Sequence, residues 1–587
     1  MFRLIRMIKG RQWGLFAGAA LAVAVQAFLT LKIPDYMEDI THLIEEQVSD
    51  LSAVWAAGGG MLLCALGALA AAIASSWFSV RFGTYFSRDL RKTVFTHIES
   101  FSMTEFSEFS TASLITRSTN DVMQIQEFVA RGLLNGLRGP AIIIWAAVKL
   151  LGRYRAWDVV TILILAFMTA VIIFLVRYAH PRLRKRQTFT DSLMRVLREN
   201  LTGIRVIRAG NAEKYMQERF GDANRVLTEN ERKAFEAMCL MRPSSRLMNN
   251  LITAGIYITG AFIAARAAGA GGAASAENVL ADMVMCSGYA AFLTRSFMDI
   301  NLAFNQFPRA NISSARIMEI LDRKPQEPEP EHPEVPERAG SLEFRNVSFR
   351  FPGMAADAVS DISFKAEPGQ TVALIGPTGS GKSAAVSLIP RLYDPSSGEV
   401  LVDGIDVRRM AKKELRSRIA FAAQYPVLLT GTVGSNTAFG DRGREKPDDE
   451  DMRRVLKTAQ AMDFVQEMGG LSGEIRRGGA NVSGGQKQRL SIARAIARKP
   501  EIFIIDDSFS ALDYKTDREL RKALKNELRG TTVVIVAQRI GTIIDADRIL
   551  VLENGRIVGD GTHKELMEKC PLYREIAATQ LSGGQAV

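Results

Sequence analysis

The 587-residue sequence predicts two domains: an all-α membrane domain of six helices with long cytoplasmic helical extensions, then an α/β domain built around a phosphate-binding loop. Three observations predict this. Long apolar stretches fill the first half. A Pro/Glu-rich segment separates the halves. The second half carries Gly376-Pro377-Thr378-Gly379-Ser380-Gly381-Lys382-Ser383 between an apolar strand and a helix.

A bilayer core needs about 20 apolar residues per helix. Six stretches meet that need, at about 14–33, 53–78, 133–151, 159–176, 251–268 and 279–297. Flanking charge sets the orientation. Arg3, Arg6, Lys9 and Arg11 hold the N-terminus inside, and the acidic loop with Asp35, Glu38, Asp39, Glu45, Glu46 and Asp50 faces out. Arg81, Arg88, Arg91 and Lys92 lie inside. Lys149, Arg153 and Arg155 run mildly against the rule, but the longer basic segment between Arg177 and Arg246 must then be cytoplasmic. The net charge of +11 fits an anionic membrane face better than nucleic acid, because the basic residues crowd the ends of apolar spans. Cys64, Cys239, Cys286 and Cys570 are widely spaced, which points to neither a disulfide framework nor a zinc site.

The segments 81–131 and 178–247 are too long for simple loops and are helical in pattern, so the spans are expected to continue into the cytoplasm and turn back. The turns are expected near 110–121 and 211–215. Arg295 and Asp299, at i,i+4 near the end of the sixth span, either pair with each other or face a transported substrate. The membrane domain is drawn as 1–322, with a stiff Pro/Glu linker at 323–340.

The second domain is drawn as 341–578, followed by a tail at 579–587. Residues 371–375 form a short apolar run suited to a buried strand, and 384–389 continue as a helix stopped by Pro390. Glycines let backbone N–H groups curl around phosphate oxygens, and the helix dipole favours anions. Lys382 is expected to reach the β/γ-phosphates of a nucleotide, and Ser383 to ligate Mg²⁺. Further on, Asn481-Val-Ser483-Gly484-Gly485-Gln486 runs into an apolar-periodic helix. Residues 501–507 then form an apolar strand ending in Asp506 and Asp507.

This order of motifs resembles the ATP-binding cassette (ABC) family, and with six spans before it the chain is similar to an exporter half-transporter. The resemblance covers nearly the whole sequence. It implies that Phe351 stacks on adenine and that Gln424 contacts Mg²⁺ and couples to the membrane domain. It implies that Asp506 supports Mg²⁺, that Asp513 belongs to the D-loop, and that Ser483, Gly484, Gly485 and Gln486 cap a partner's ATP. The turns near Arg117 and Tyr215 become coupling helices. Leu581-Ser-Gly-Gly-Gln585 spells the family signature, but with two residues after it no helix can follow, and it is read as a chance tail.

Two residues depart from the family pattern. Asp507 stands where the family has a Glu that polarises the attacking water, and Gln538 stands where it has a histidine. Together they imply a site that binds ATP and hydrolyses it poorly. The expected assembly is a heterodimer of the multidrug-exporter type, in a lipid bilayer, with a second half-transporter carrying the intact Glu and His. A homodimer working slowly through Asp507 is the alternative. A soluble cassette ATPase acting on nucleic acid is opposed by the six spans, and a non-transporting regulator stays open. The cargo is expected to be a small hydrophobic or amphipathic molecule.

Overall fold

The structure is a computed structural model that describes residues 2–45, 51–150, 154–269, 273–324, 327–337, 339–440, 446–509 and 512–581. The chain divides into two compact units. One comprises Met1–Ile98 and Ala112–Arg323, and the other Glu99–Thr111 and Lys324–Val587.

The first unit is all helical. Its long helices are Gly10–Glu45, Leu51–Glu99, Leu133–Leu150, Arg155–Thr202, Glu213–Cys239, Met241–Gly269 and Ala273–Leu321. Each of the six apolar stretches falls within one of them, apart from residue 151, which lies outside the described residues. Among the described residues, four stretches are long and apolar enough to cross a membrane: Gly10–Ile44, Leu51–Glu99, Thr111–Leu150 and Pro243–Arg266. The helices at 51–99, 155–202 and 273–321 run to 48 or 49 residues, more than twice what a bilayer core requires. Ala27, Leu31, Ile142, Ala146, Trp157, Ile252, Ile256, Met283 and Tyr289 form a buried apolar cluster that ties the helices together.

The first cytoplasmic turn lies earlier than the sequence suggested. The chain leaves the helix at Glu99, forms a short helix at Met103–Glu108 and is helical again from Thr111, so residues 112–121 are helix rather than turn. Glu105 closes the short helix by accepting from the Ser102 N–H at 2.7 Å, a capping box that satisfies an otherwise orphaned donor. The second turn spans Gly203–Ala212, with Asn211 in the left-handed region at φ 50°, which its short polar side chain tolerates.

The second unit holds a four-stranded antiparallel sheet and a six-stranded, mostly parallel sheet. The larger sheet runs, edge to edge, Arg556–Gly561, Arg548–Glu553, Thr371–Ile375, Thr532–Val536, Ile502–Asp506, Ile419–Ala422. Its central strands are largely buried, Ile502–Asp506 at every position, as expected of strands covered on both faces. One apolar cluster joins the antiparallel sheet to the phosphate-loop helix through Phe344, Phe364, Leu374, Ala385, Val386 and Leu388. Another lies under the helix at Gly484–Ile496, through Leu428, Val455, Val482, Leu490, Ile492 and Phe503.

The Pro/Glu segment belongs to this second unit and is not a free spacer. It is extended, as its prolines require, but it is docked. Pro328 O accepts from Arg391 at 3.3 Å, and Pro336 O accepts from Arg418 at 2.8 Å. Lys412 Nζ donates to Glu327 O at 2.8 Å, and Glu334 N donates to Arg409 O at 2.9 Å. Glu327 is buried, and burial raises its pKa despite the adjacent Lys412. The sequence did not reveal this, because the linker carbonyls and the basic residues that dock on them lie 63 to 85 positions apart.

Arg418 is the anchor. It is 1 % exposed and pairs with Asp403 at 3.1 Å and Glu414 at 2.9 Å. Breaking a buried ion pair by removing one partner costs about 3–5 kcal/mol. Arg418→Ala is therefore expected to lower the thermal midpoint of the second unit in the full-length protein and to expose the 327–337 segment to protease. An unchanged midpoint would show that the carboxylates and linker carbonyls are satisfied without it.

Candidate active site

The site lies at the carboxyl ends of three adjacent parallel strands. Thr532–Val536 pairs with Thr371–Ile375 on one side and Ile502–Asp506 on the other, with Val536 opposite both Leu374 and Asp506. The loops leaving these strands begin at Gly376, Asp507 and Ala537, so the phosphate loop, the second aspartate and Gln538 emerge side by side. Such strand ends are where α/β sheets place ligands.

Two phosphate-loop glycines are required by the backbone. A Cβ on Gly376 (φ 156°) would lie 2.0 Å from Leu552 O, and one on Gly381 (φ 94°) would lie 2.2 Å from Ala358 O. From Gly381 the chain enters the helix Lys382–Leu388. Lys382 is buried, and its ammonium donates to Gly376 O at 2.9 Å, Pro377 O at 2.8 Å and Ser380 Oγ at 3.2 Å. Burial lowers its pKa, while Asp507 and Asp506 act in the opposite direction.

Ser383 Oγ donates to Asp506 Oδ1 at 2.9 Å, which puts a hydroxyl and a carboxylate together at the head of the helix. Burial raises the Asp506 pKa against that hydrogen bond, and the neighbouring Asp507 raises it further. Asp507 sits at φ 46° and is 8 % exposed. Its Oδ2 accepts from Gln538 Nε2 at 2.8 Å and from Gln424 Nε2 at 3.4 Å. Burial is the main cause of its raised pKa, with the two amides and Lys382 pulling it down. The two residues that depart from the family pattern are thus hydrogen-bonded to each other. Ser383 Oγ, the Asp506 carboxylate and the Gln424 side-chain oxygen are hard oxygen donors of the kind Mg²⁺ prefers, alongside phosphate oxygens.

Phe351 follows the first strand and is half-buried, edge-on to Phe349 at 4.8 Å and Tyr393 at 5.4 Å between ring centroids. Ser483 caps the helix Gly484–Ile496: Gln486 N donates to Ser483 Oγ at 3.3 Å, and Ser483 N donates to Gln486 Oε1 at 2.8 Å. The signature is therefore a capping box, with Gly484 leaving its exposed end unobstructed. Among the described residues no hydrogen bond joins it to the phosphate loop. Asp513 caps the helix Tyr514–Glu527 by accepting from Thr516 N at 3.0 Å. Ser510, Ala511 and the tail residues Ser582–Gln585 lie outside the described residues. Arg295 is exposed, Asp299 is half-buried, and no ion pair joins them among the described residues.

Two positioning residues escaped the sequence reading. Ser508 Oγ donates to Ala422 O at 3.0 Å, which fixes the loop carrying Gln424 to the strand carrying Asp506. Gln580, on the C-terminal helix Pro571–Leu581, donates to Gln538 O at 2.7 Å and accepts from Ile540 N at 2.8 Å. The Ser508 contact is foreshadowed only by adjacency to Asp507. Nothing in the local sequence around Gln580 points to Gln538, 42 residues away.

A multi-pass membrane helical unit joined to a phosphate-loop ATPase unit defines an ATP-driven transporter. The chain belongs to the ABC transporter family: the "ABC transporter" family matches residues 359–510, and the "ABC transporter transmembrane region" family matches residues 15–280. It is 35% identical over 525 residues to an "Uncharacterized ABC transporter ATP-binding protein" of Mycobacterium tuberculosis, covering 89% of this chain and 87% of the relative. It is 30% identical over 595 residues to the "ATP-dependent lipid A-core flippase" of Burkholderia pseudomallei, covering 99% and 95%. The fold matches the structure of a bacterial Atm1-family ABC exporter with ATP bound, with a TM-score of 0.78 at 24% identity, covering 96% of this chain and 98% of that one. The protein is a multi-pass membrane ATPase that couples ATP hydrolysis to export, with its ATPase domain in the cytoplasm.

The raised Asp507 pKa has a consequence for stability. A carboxyl whose pKa is higher folded than unfolded holds its proton better in the folded state. Its burial penalty is therefore felt in full at neutral pH and is relieved as pH falls towards the ordinary aspartate value of 3.8. Asp507→Asn is expected to raise the thermal midpoint at pH 7, with the gain shrinking as pH approaches 3.8. Differential scanning fluorimetry across that range checks it, and a loss of stability at pH 7 would count against it.

Proposed function

We propose that this chain is the catalytically degenerate half of a heterodimeric exporter, moving a hydrophobic or amphipathic molecule across the cytoplasmic membrane through six spanning helices. The single observation that carries this reading is the hydrogen bond from Gln538 Nε2 to Asp507 Oδ2 at 2.8 Å. An attacking water needs a carboxylate oxygen free to take its proton. Here two amides converge on one carboxylate oxygen, Oδ2, with the Gln424 contact long at 3.4 Å, and the side chain is one methylene shorter than glutamate. Burial raises the proton affinity of Asp507, which favours a base, but reach decides first: a misplacement near 1 Å costs about 10²-fold in rate. Gln538 offers an N–H but no positive charge to the developing phosphoryl charge.

The binding parts are complete in this reading. Gly376 to Gly381 cradle the phosphates, Lys382 neutralises them, and Phe351 supports the adenine. Ser383, Asp506 and Gln424 would hold Mg²⁺, and the ion would neutralise phosphate charge. Ser483 and Gly484, exposed at the start of their helix, with the half-buried Gly485 and Gln486 after them, cap the nucleotide bound by the partner chain, and Asp513 lies in the loop between the two sites. The partner supplies the glutamate and histidine of the competent site. The homodimeric reading is less favoured because it would combine two copies of the same clamped aspartate. The lipid A-core flippase among the relatives supports an amphipathic cargo.

The full-length chain purified alone is expected to bind ATP and hydrolyse it slowly. Asp507→Glu combined with Gln538→His should raise its turnover about 10²-fold. Vigorous turnover by the unaltered chain, abolished by Asp507→Ala, would overturn the degenerate reading and favour the homodimer.

A further inference from the structure

The membrane unit contains a cavity of about 380 Å³ lined by Val23 and Gln26, by Ser75, Ser76 and Ser79, and by Arg131 and Arg138, with apolar side chains between them. It lies where the second long helix approaches its basic end at Arg81, Arg88, Arg91 and Lys92. Ser79 is buried and bonded to Ala130 O, and a Cβ on Gly83 would lie 2.8 Å from Ala130 Cβ, so this wall is held close and fixed.

The charges are unbalanced. Among the described residues no acidic side chain lines the cavity. Among the described residues neither Arg131 nor Arg138 has an ion-pair partner, and the Arg138 Nε is buried without a hydrogen-bond acceptor. Elsewhere in this unit arginines near acidic groups are paired, as Arg117 is with Glu319 at 2.7 Å and Arg3 with Asp322 at 2.7 Å. A cation inside a membrane domain is costly unless something of opposite charge meets it. The Ser75 and Ser79 hydroxyls already donate to Ala72 O and Ala130 O, which leaves two guanidinium groups, the Ser76 hydroxyl and the Gln26 amide as a donor set for phosphate or carboxylate oxygens, and the apolar walls suit a hydrocarbon chain.

We propose that this cavity binds the anionic headgroup of an amphiphile, with Arg138 and Arg131 contacting its phosphate or carboxylate, and that it selects anionic over zwitterionic cargo. This rests on the reading of an amphipathic substrate but not on the degeneracy of the ATP site, and the test below needs no hydrolysis.

Binding is measured by thermophoresis of the full-length protein in detergent micelles with three probes: dioctanoyl phosphatidic acid, dioctanoyl phosphatidylcholine and glycerol 3-phosphate. The phosphatidic acid is expected to bind about tenfold more tightly than either of the others. Losing a charge-assisted hydrogen bond costs about that factor, so Arg138→Gln should weaken it by about tenfold and the Arg131→Gln/Arg138→Gln pair should abolish the preference. Arg138→Lys should retain part of it, and Arg266→Gln, which removes the same charge from an exposed position, should change nothing. Equal binding of the two lipids, equal binding of glycerol 3-phosphate, or an unaltered preference in the double variant would each overturn the proposal. If the lone chain proves a vigorous ATPase while the arginine effects persist, the degenerate reading fails and this one stands.

Discussion

The second unit depends on one constraint, the parallel pairing of Thr371–Ile375, Thr532–Val536 and Ile502–Asp506 in a register that ends all three strands together. Side chains that alternate along a strand cannot slip by one residue without exchanging faces. The register therefore fixes where Lys382, Asp506, Asp507 and Gln538 emerge. Ser508 ties in a fourth element, the loop carrying Gln424, through Ala422 O at 3.0 Å. Gln580 ties in a fifth, the C-terminal helix, through Gln538 O at 2.7 Å. The site is the convergence of strand ends held from three directions, and its residues span more than 150 positions of sequence.

What the sequence disclosed follows from which interactions are local. The phosphate loop, the strand before it and the helix after it were legible because glycine spacing, apolar runs and Pro390 all act within a few residues. So was the Ser483 cap, whose partner Gln486 is three residues away. The Asp507 and Gln538 departures were visible as residue types, but their hydrogen bond was not, since 31 positions separate them. The docking of the Pro/Glu segment was not legible for the same reason: proline predicts extension but not what lies alongside. The first cytoplasmic turn was placed too late because Ser110, Thr111 and the polar residues after them suit a turn as well as a helix. There the Ser102–Glu105 cap decided the matter, and the sequence reading had not weighed it.

Burial couples the charges of the ATP site in a way that residue types alone do not convey. Lys382, Asp506 and Asp507 are each less than a tenth exposed. Desolvation pushes both carboxyls towards neutrality and the ammonium likewise, while their mutual attraction opposes it. A cluster in that balance responds strongly to any charge brought to it. A nucleotide triphosphate adds negative charge beside Lys382 and favours its protonated form. A divalent cation beside Asp506 favours the carboxylate. The pocket is thus better matched to its ligands together than to either alone.

The same balance bears on why a glutamine at 538 suits an aspartate at 507. An imidazolium there would add a positive charge beside a buried carboxylate and hold it ionised. The neutral amide donates one hydrogen bond at 2.8 Å without that charge, and Gln424 donates a weaker second at 3.4 Å. A buried carboxylate that accepts hydrogen bonds from neutral donors is satisfied but not strongly polarised. Asp507 receives both amides at one oxygen, while the charges of Lys382 and Arg539 also act on it. The two residues are therefore complementary as donor and acceptor: the amide supplies an N–H to the buried acid at 2.8 Å. A neutral acceptor at 507 would keep that hydrogen bond without the cost of burying a charge, so what couples the pair is the hydrogen bond and not the charge.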